Sequence, residues 1–296
     1  MIGLGLIGGS MAIDLRQSGV ASRLIGVERN PAHAEKALAL GLVDAIKDEG
    51  TAIGEADLII MAIPVNAMCQ LLPVVMDGMH AKAVIIDAGS TKNQICRAVA
   101  NHPKRAQFVA AHPIAGTENS GPDAALSGLF NNKTNIICER EKSSDHALKV
   151  AGSVFEALGL NTIFMEPDEH DKHVAYVSHL SHVSAFLLGQ TVLDIEKDEK
   201  NIFALAGSGF ASTVRLAKSS PEMWAPIFEQ NIEYLSQALQ EYIMHLQRFH
   251  YHLMKHDSKE IYRIMSTAND IRRVLEGIEL KTKNQVPTQT LEKSKL

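Results

Sequence analysis

The glycine pattern at the start of the chain places the strongest constraint on its fold. Residues 3–8 read Gly-Leu-Gly-Leu-Ile-Gly, which matches GxGxxG, and a helical segment follows at once. After a strand, such glycines allow a tight turn and let backbone N–H groups approach a dinucleotide pyrophosphate at a helix N-terminus. Only Met1 and Ile2 precede the pattern, so the strand that should lead into it is predicted to be truncated.

An acidic residue about 20 positions farther on completes the fingerprint. Glu28 ends the next β-like run, where a carboxylate can accept hydrogen bonds from the adenosine ribose and repel a 2′-phosphate. Arg29 follows directly and could hold that phosphate instead. We therefore expect NAD as the cofactor, with NADP as the alternative. The predicted cofactor-binding residues are Gly3, Gly5, Leu6, Ile7, Gly8, Glu28, Arg29, Ile63 and Ser90.

The first half of the chain alternates short apolar runs with segments of helical periodicity. Short, mostly apolar runs are typical of parallel strands buried on both faces. Helical patterns such as Ser10–Ser18 and Pro31–Leu40 lie between them, the second opened by Asn30 as a helix cap. This alternation predicts an α/β domain with a Rossmann-type, doubly wound parallel sheet. Its predicted strands are Leu24–Glu28, Leu58–Ile63, Ala83–Asp87, Gln107–Ala110 and Asn135–Cys138.

From about Asp168 the pattern changes to helical segments alone, which predicts an all-helical second domain. One of these helices, Pro221–Lys255, is longer than a small domain can cover, which favours packing against a second copy of the chain. The predicted helices are Asp168–Asp194, Glu199–Ala206, Ser212–Lys218, Pro221–Lys255 and Asp257–Gly277.

The two patterns define the predicted domains. We expect a dinucleotide-binding domain over residues 1–167 and a helical substrate and dimerisation domain over residues 168–277. The polar segment 278–296 is predicted to be a disordered tail.

Composition and charge exclude several classes of protein. The net charge of −5 and the absence of a long basic run argue against nucleic acid or an anionic membrane as a partner. No uninterrupted apolar stretch is long enough to span a membrane, and the first residues do not form a signal peptide. Three scattered cysteines fit neither a disulfide framework nor a zinc site, which favours a reducing, cytoplasmic compartment.

Two polar segments follow consecutive predicted strands. Residues 87–92 read Asp-Ala-Gly-Ser-Thr-Lys, and residues 112–118 read His-Pro-Ile-Ala-Gly-Thr-Glu. Doubly wound sheets bind ligands at the carboxyl ends of their strands, where both segments are expected to lie. The Ser90 hydroxyl could pair with His112 for acid–base chemistry, and a loop histidine without a function is the alternative.

Five motifs, taken in order, resemble the prephenate/arogenate dehydrogenase family of tyrosine biosynthesis. They are GLGLIGGS, DAGSTK, HPIAGTE, SHLSH and the run from Gly209 to Trp224 that begins GFASTVR. HPIAGTE is the most specific of them, whereas GxGxxG occurs in many unrelated enzymes. In this family a Rossmann domain precedes a helical dimerisation domain, so the resemblance implies the same plan and a homodimer.

The resemblance also implies an activity and a set of site residues. The activity is NAD-dependent oxidative decarboxylation of prephenate to 4-hydroxyphenylpyruvate, and an arogenate dehydrogenase that gives tyrosine directly is the alternative. By position, His112 would accept the hydroxyl proton, and Ser90 would orient that histidine and approach the nicotinamide. Arg215 would pair with a substrate carboxylate. The implied substrate-binding residues are Thr117, Glu118, His182 and Arg215.

Two other functions stay open at this point. A 6-phosphogluconate or β-hydroxyacid dehydrogenase shares the two-domain plan but uses a helix lysine as its base, and no lysine here lies in a comparable glycine-flanked motif. A non-catalytic, NAD-sensing dimer needs only the glycine fingerprint, so the presence of Ser90, His112 and Arg215 argues against it.

Four histidines at the start of the helical region raise the question of a metal. His179 and His182 lie three apart on one helix face, but zinc needs a third ligand and no HExxH motif is present. We therefore predict no metal site. His170 and His173 are predicted to be solvent-exposed positions near a helix start.

Overall fold

The computed structural model describes residues 1–198 and 202–283. Strands and helices alternate through the first half, and helices follow from Pro167 onward. The strands are β1 (Ile25–Gly26), β2 (Ala45–Ile46), β3 (Leu58–Met61), β4 (Val84–Asp87), β5 (Phe108–Pro113), β6 (Thr134–Cys138) and β7 (Asn161–Met165). The helices between them are α1 (Leu6–Gln17), α2 (Pro31–Ala39), α3 (Glu49–Glu55), α4 (Val65–Gly78), α5 (Asn93–Ala98) and α6 (Asp145–Ala157).

Ile2 connects the strands into one layer. Strands β1 and β2 pair in parallel, and a five-stranded sheet runs in the order β3–β4–β5–β6–β7. Ile2 forms parallel bridges to both Val27 and Met61, so this residue occupies the place of the strand that leads into the glycine pattern. Its N–H donates to Ile60 O and its carbonyl accepts from Ala62 N, each at 2.8 Å.

The predicted α/β class is confirmed, with one difference in strand direction. Strands β3, β4 and β5 are parallel neighbours, but β6 pairs antiparallel with β5 and then parallel with β7. The chain reaches β6 without an intervening α-helix; a short 3-10 turn, Pro122–Ala124, lies between β5 and β6. A parallel pair needs a long crossover that is usually helical, and the antiparallel arrangement does not.

Alternate residues of the central strands enter two separate apolar layers. Ile85 and Phe108 lie in one cluster with residues of α4 and α5, and Ile86 and Val109 lie in another with residues of α1 and α6. Both faces are therefore buried, which explains why these strands read as continuous apolar runs. His112 follows Phe108 by an even number of residues, so its side chain leaves β5 on the side of α4 and α5.

The helical region differs from prediction at several places. It comprises α7 (Pro167–Val174), a π-helical turn (Ala175–His179), α8 (Leu180–Asp198), a 3-10 turn (Ile202–Leu205), α9 (Ser208–Val214), a 3-10 turn (Arg215–Lys218), α10 (Pro221–Gln230), α11 (Ile232–Met254), α12 (Ser258–Ala268), a 3-10 turn (Asn269–Ile271) and α13 (Arg272–Lys283). The π turn interrupts the helix predicted over 168–194, and the last 3-10 turn interrupts the one predicted over 257–277. Part of the helix predicted at 199–206 lies outside the described residues.

The prediction of a single helix over Pro221–Lys255 is wrong. Asn231 leaves the helical conformation, with φ −111° and ψ 31°, and separates α10 from α11. Its buried side chain donates to the Asp171 carbonyl at 2.7 Å, and this long-range bond holds the residue in place.

The chain forms two compact units, one from Met1 to Ala238 and a second from Leu239 onward. The boundary predicted after residue 167 stays a prediction. Helix α13 extends past residue 277, where a disordered tail is predicted to begin, and residues 284–296 of that tail lie outside the described chain. Among the described residues, no helix is both long and apolar enough to cross a membrane.

Candidate active site

The glycine loop leaves no room for side chains at two of its positions. Gly3 has φ +88°, and a Cβ added there would collide with the carbonyl oxygen of Ala62 and lie 2.8 Å from Ile63 Cγ2. A Cβ on Gly8 would collide with Gly3 O, whereas at Gly5 the nearest atom is 3.9 Å away. The loop therefore packs tightly against the end of β3 and stays open at Gly5. The first N–H groups of a helix have no intrahelical partner, so the start of α1 is suited to bind an anion such as a pyrophosphate.

Glu28 links this loop to the end of β1. One carboxylate oxygen accepts from Leu4 N at 3.1 Å and the other accepts from Asn30 N at 3.0 Å. Glu28 is half-buried and Arg29 is exposed. The two hydrogen bonds fix the carboxylate beside the glycine loop, at the place where a Rossmann domain holds the adenosine ribose.

A buried ion pair joins the carboxyl ends of β4 and β5. Lys92 and Asp87 have no exposed surface and contact each other directly. The Lys92 ammonium also donates to Ala111 O at 2.6 Å, and the other Asp87 oxygen accepts from Ala111 N at 2.9 Å. The pair therefore holds both backbone polar groups of the residue that immediately precedes His112. Sequence reasoning missed this pair, because a lysine in a polar loop motif is ordinarily solvent-exposed.

His112 belongs to a hydrogen-bonded chain that ends in a carboxylate. Its Nδ1 lies 2.8 Å from Nε2 of His170, and Nδ1 of His170 lies 2.8 Å from Oδ1 of Asp171. The Asp171 carboxylate also accepts from Lys92 N at 2.7 Å and from Asn93 N at 2.9 Å. Asp171 on α7 thus caps the first turn of α5 and holds the end of the histidine chain.

Two expectations about these residues are wrong. His170 is fully buried rather than solvent-exposed, whereas His173 is exposed as predicted. His170 also takes the place that Ser90 is predicted to hold, since no hydrogen bond joins Ser90 to His112 in the described part of the chain. No local signal could have identified the His112–His170 contact, because 58 positions separate the two residues.

Burial keeps these imidazoles neutral. It lowers the pKa of His112 well below 6.5, and the nearby His170 and the Lys92 ammonium lower it further. Burial also lowers the pKa of His170, although the adjacent Asp171 carboxylate opposes that shift. A neutral imidazole has one bare ring nitrogen, which is what a proton acceptor at physiological pH requires.

The substrate-binding residues implied by the resemblance form two long-range contacts. Arg215 Nη1 donates to Glu118 Oε2 at 2.9 Å, which joins the segment after β5 to the turn after α9. His182 stacks on Trp224 with ring centroids 3.5 Å apart, and its Nδ1 lies 2.9 Å from Ser178 O. Thr117 accepts a local bond from Asn119 N at 3.2 Å.

His179 is held by a hydrogen bond and an aromatic contact within the protein. Its Nδ1 accepts from the Asn231 amide at 3.1 Å, and its ring meets Trp224 edge-on. Burial lowers its pKa to about 4. Over residues 1–198 and 202–283, no three His, Cys, Asp or Glu side chains are grouped as a metal site.

This fold and site define a class of protein: a Rossmann-type nucleotide-binding protein with a neutral histidine at the carboxyl edge of its sheet and a helical region after it. Comparison with known sequences gives a narrower result. The model of the prephenate dehydrogenase nucleotide-binding domain matches residues 11–164, and that of the prephenate dehydrogenase dimerization domain matches residues 166–267. The chain belongs to the prephenate dehydrogenase family.

Individual relatives agree with this assignment. The prephenate dehydrogenase of Bacillus subtilis is 31% identical over 97% of this chain and 77% of its own length. A structure of prephenate dehydrogenase from Aquifex aeolicus with hydroxyphenyl propionate and NAD+ is 29% identical, has a TM-score of 0.85, and matches over 93% of this chain and 96% of that chain. The arogenate dehydrogenase of Synechocystis is also 29% identical, with a TM-score of 0.72 over 93% of this chain and 98% of its own.

Proposed function

We propose that this chain is a prephenate dehydrogenase that uses NAD to convert prephenate to 4-hydroxyphenylpyruvate and carbon dioxide. The observation that carries the proposal is the position of His112 at the carboxyl end of β5, in contact with His170 and directly after Ala111, which the Asp87–Lys92 pair holds. Near full-length similarity to prephenate dehydrogenases supports it.

The reaction explains why the site needs a base and a cation. Prephenate has a hydroxyl at C4 of a cyclohexadiene ring and a carboxylate at C1 across it. His112 accepts the hydroxyl proton, and bound NAD supplies the hydride acceptor for C4. The incipient ketone is a vinylogous β-keto acid, so carbon dioxide leaves and the ring becomes aromatic.

Arg215 is the proposed substrate clamp. Its Nη1 contacts Glu118 while the side chain stays half-exposed, which leaves donors of the guanidinium fork for a substrate carboxylate. Thr117 and His182 border the same pocket in this proposal. Ser90 and Ile63 border the nicotinamide end of the cofactor site.

The Glu118–Arg215 pair also favours prephenate over arogenate. Arogenate carries an ammonium where prephenate has a ketone, and an unpaired carboxylate near it would favour arogenate. The charge of Glu118 is instead compensated by Arg215. Steady-state kcat/KM for both substrates on one preparation tests the choice, and a preference for arogenate would overturn it.

NAD is preferred over NADP because Glu28 lies at the ribose position. Its carboxylate, oriented by Leu4 N and Asn30 N, can accept from ribose hydroxyls and repels a phosphate there. We also propose that the domain boundary follows residue 167 and that the chain works as a homodimer. A cytoplasmic location stays a prediction from the sequence.

The direct test is NADH formation, followed by absorbance, on adding prephenate. Arogenate, 6-phosphogluconate and small β-hydroxyacids are the comparison substrates. NADH formation with prephenate but with none of the comparison substrates supports the proposal. Binding of NADH without turnover of any substrate would favour the NAD-sensing alternative.

A further inference from the structure

The geometry points to His170 as a positioning residue that fixes the tautomer of His112 and receives the proton that His112 removes from substrate. This inference rests on the proposed dehydrogenase function. It assigns a role to two buried side chains. His170 contacts His112, and Asp171 contacts His170.

The protons in the chain can be assigned from the carboxylate outward. Asp171 accepts hydrogen bonds from Lys92 N, Asn93 N and the His170 ring, so it is the ionised acceptor. His170 must therefore carry its proton on Nδ1, which leaves its Nε2 bare. The group that faces this bare Nε2, at 2.8 Å, is Nδ1 of His112, which must then carry a proton and donate it. In that tautomer the lone pair of His112 is on Nε2, the ring nitrogen that does not face His170.

The same chain gives the removed proton a destination. As the hydride leaves C4, the substrate O–H bond breaks and its proton goes to Nε2 of His112. The Nδ1–H proton of His112 can then move to Nε2 of His170. The positive charge ends on the ring that donates to the Asp171 carboxylate, and both rings keep their hydrogen-bond partners throughout. No additional reactant is needed, because the two electrons leave with the hydride.

The charged groups around the chain favour this direction of transfer. The Lys92 ammonium acts on both rings, and His179 on the π turn also acts on His112; both influences disfavour positive charge at His112. Of the two rings, His170 is the one in direct contact with a carboxylate, Asp171, and Asp87 contributes a second negative charge near it. Positive charge is therefore better stabilised on His170 than on His112.

A purely structural role would not require this arrangement. The Asp171 carboxylate already joins α7 to the start of α5, and the Asn231 amide joins Asp171 O to the end of α10. Neither interaction uses Nε2 of His170. Nε2 of His170 bonds to His112. A substitution of His170 therefore removes the proposed role and leaves the bonds that pack the helix in place.

Two substitutions and a matched control test the role in catalysis. His170→Met removes the acceptor, and we expect kcat with prephenate to fall by about 10²–10⁴-fold, the range for losing a correctly oriented base, with little change in KM or NADH affinity. His170→Gln keeps an acceptor oxygen near the Nε2 position and should restore a large part of kcat. His173→Met and His173→Gln alter an exposed histidine on the same helix and should leave kcat unchanged.

The pH profile gives a readout that packing does not. In His170→Gln the tautomer is still fixed, but the second proton site is lost. We therefore expect the acid limb of kcat to move to lower pH, because the imidazolium formed at His112 can no longer share its charge with the Asp171-bound ring. An unchanged acid limb together with wild-type kcat in both variants would overturn the inference.

Nitrogen-15 spectra of histidine-labelled protein test the tautomer without any substrate. We expect His112, assigned through His112→Asn, to carry its proton on Nδ1 in the wild type and to lose that preference in His170→Met. A proton on Nε2 of His112 in the wild type would refute the inference, even if the enzyme is active. Absence of turnover with prephenate would refute the proposed function instead, and if His170→Met does not fold, the wild-type spectrum and His170→Gln decide.

Discussion

Lys92 and Asp87 form an ion pair without exposed surface directly behind His112. The pair bonds both the N–H and the carbonyl of Ala111, so it couples the ends of β4 and β5. Taking two charges out of water is costly, and such a pair is weak evidence for stability. Its position instead indicates that it orders the backbone on which the proposed base is mounted.

Removal of one partner should destabilise the fold strongly. Lys92→Met leaves the Asp87 carboxylate buried and unpaired, and we expect the free energy of unfolding to fall by about 3–5 kcal/mol. The double variant Asp87→Asn with Lys92→Met removes both charges of the pair and should lose less stability than Lys92→Met alone. Urea denaturation measures both, with Lys82→Met as an exposed-lysine control. Equal losses in the single and double variants would contradict the argument.

Replacement of the proposed base should remove catalysis and spare cofactor binding. His112→Asn loses the bare imidazole nitrogen, so kcat with prephenate should fall by about 10²–10⁴-fold. Affinity for NADH, measured by fluorescence titration, should be nearly unchanged because the glycine loop and Glu28 are untouched. A variant with wild-type kcat would show that His112 is not the base.

Four buried or partly buried histidines should make stability depend on pH in the acid range. Burial lowers the pKa values of His112, His170, His179 and His182 below 6.5 in the folded chain, that of His179 to about 4. In the unfolded chain these rings titrate near 6.5, so below that pH the unfolded state binds more protons. The free energy of unfolding is therefore largest above about pH 6.5 and falls as the pH drops from 7 to 5.

Urea midpoints at several pH values measure this dependence. His179→Gln removes one such ring and should reduce the slope between pH 7 and 5. His245→Gln alters an exposed histidine and should leave the slope unchanged. A stability curve that stays flat across this range would contradict the assignment of neutral buried rings.

Cofactor preference should depend on Glu28. Glu28→Gln keeps an acceptor for Leu4 N but loses the charge that repels a 2′-phosphate, so NADPH affinity should rise relative to NADH. Arg29 lies next to it and can then pair with that phosphate. Glu35→Gln, which removes an exposed charge on α2, is the control. Fluorescence titration with both nucleotides gives the ratio, and an unchanged ratio would show that Glu28 does not select the cofactor.

The sequence predicted those parts of the fold that local pattern determines. The ends of strands β3, β4 and β6 differ from the predicted ends by no more than two residues, because both faces of the sheet are buried there and the strands read as apolar runs. Strand β7 escaped prediction because it begins with the polar Asn161 and Thr162, and the apolar run that follows, Ile163–Met165, is too short to indicate a strand buried on both faces. Strand β2 has only two residues and gives no signal.

The candidate site also contains residues that the sequence predicted and residues that it did not. His112 and the glycine loop are recognisable from residue type and spacing. His170, Asp171 and the Lys92 pair are not, because their roles arise from contacts between segments far apart in the chain. A buried lysine or histidine looks like a surface residue until its partner is known.

Assembly into a homodimer should depend on apolar residues of the second unit. Leu246, Leu253, Ile271 and Leu275 are each about half exposed, which is unusual for so many large apolar side chains in one helical unit. The family model of the dimerization domain covers residues 166–267, which include Leu246 and Leu253. Light scattering at micromolar concentration should therefore give about twice the mass of the chain. Leu246→Glu should lower that mass, whereas Gln247→Glu, an exposed neighbour on α11, should not. An active monomer in the wild type would show that these residues do not form the subunit interface.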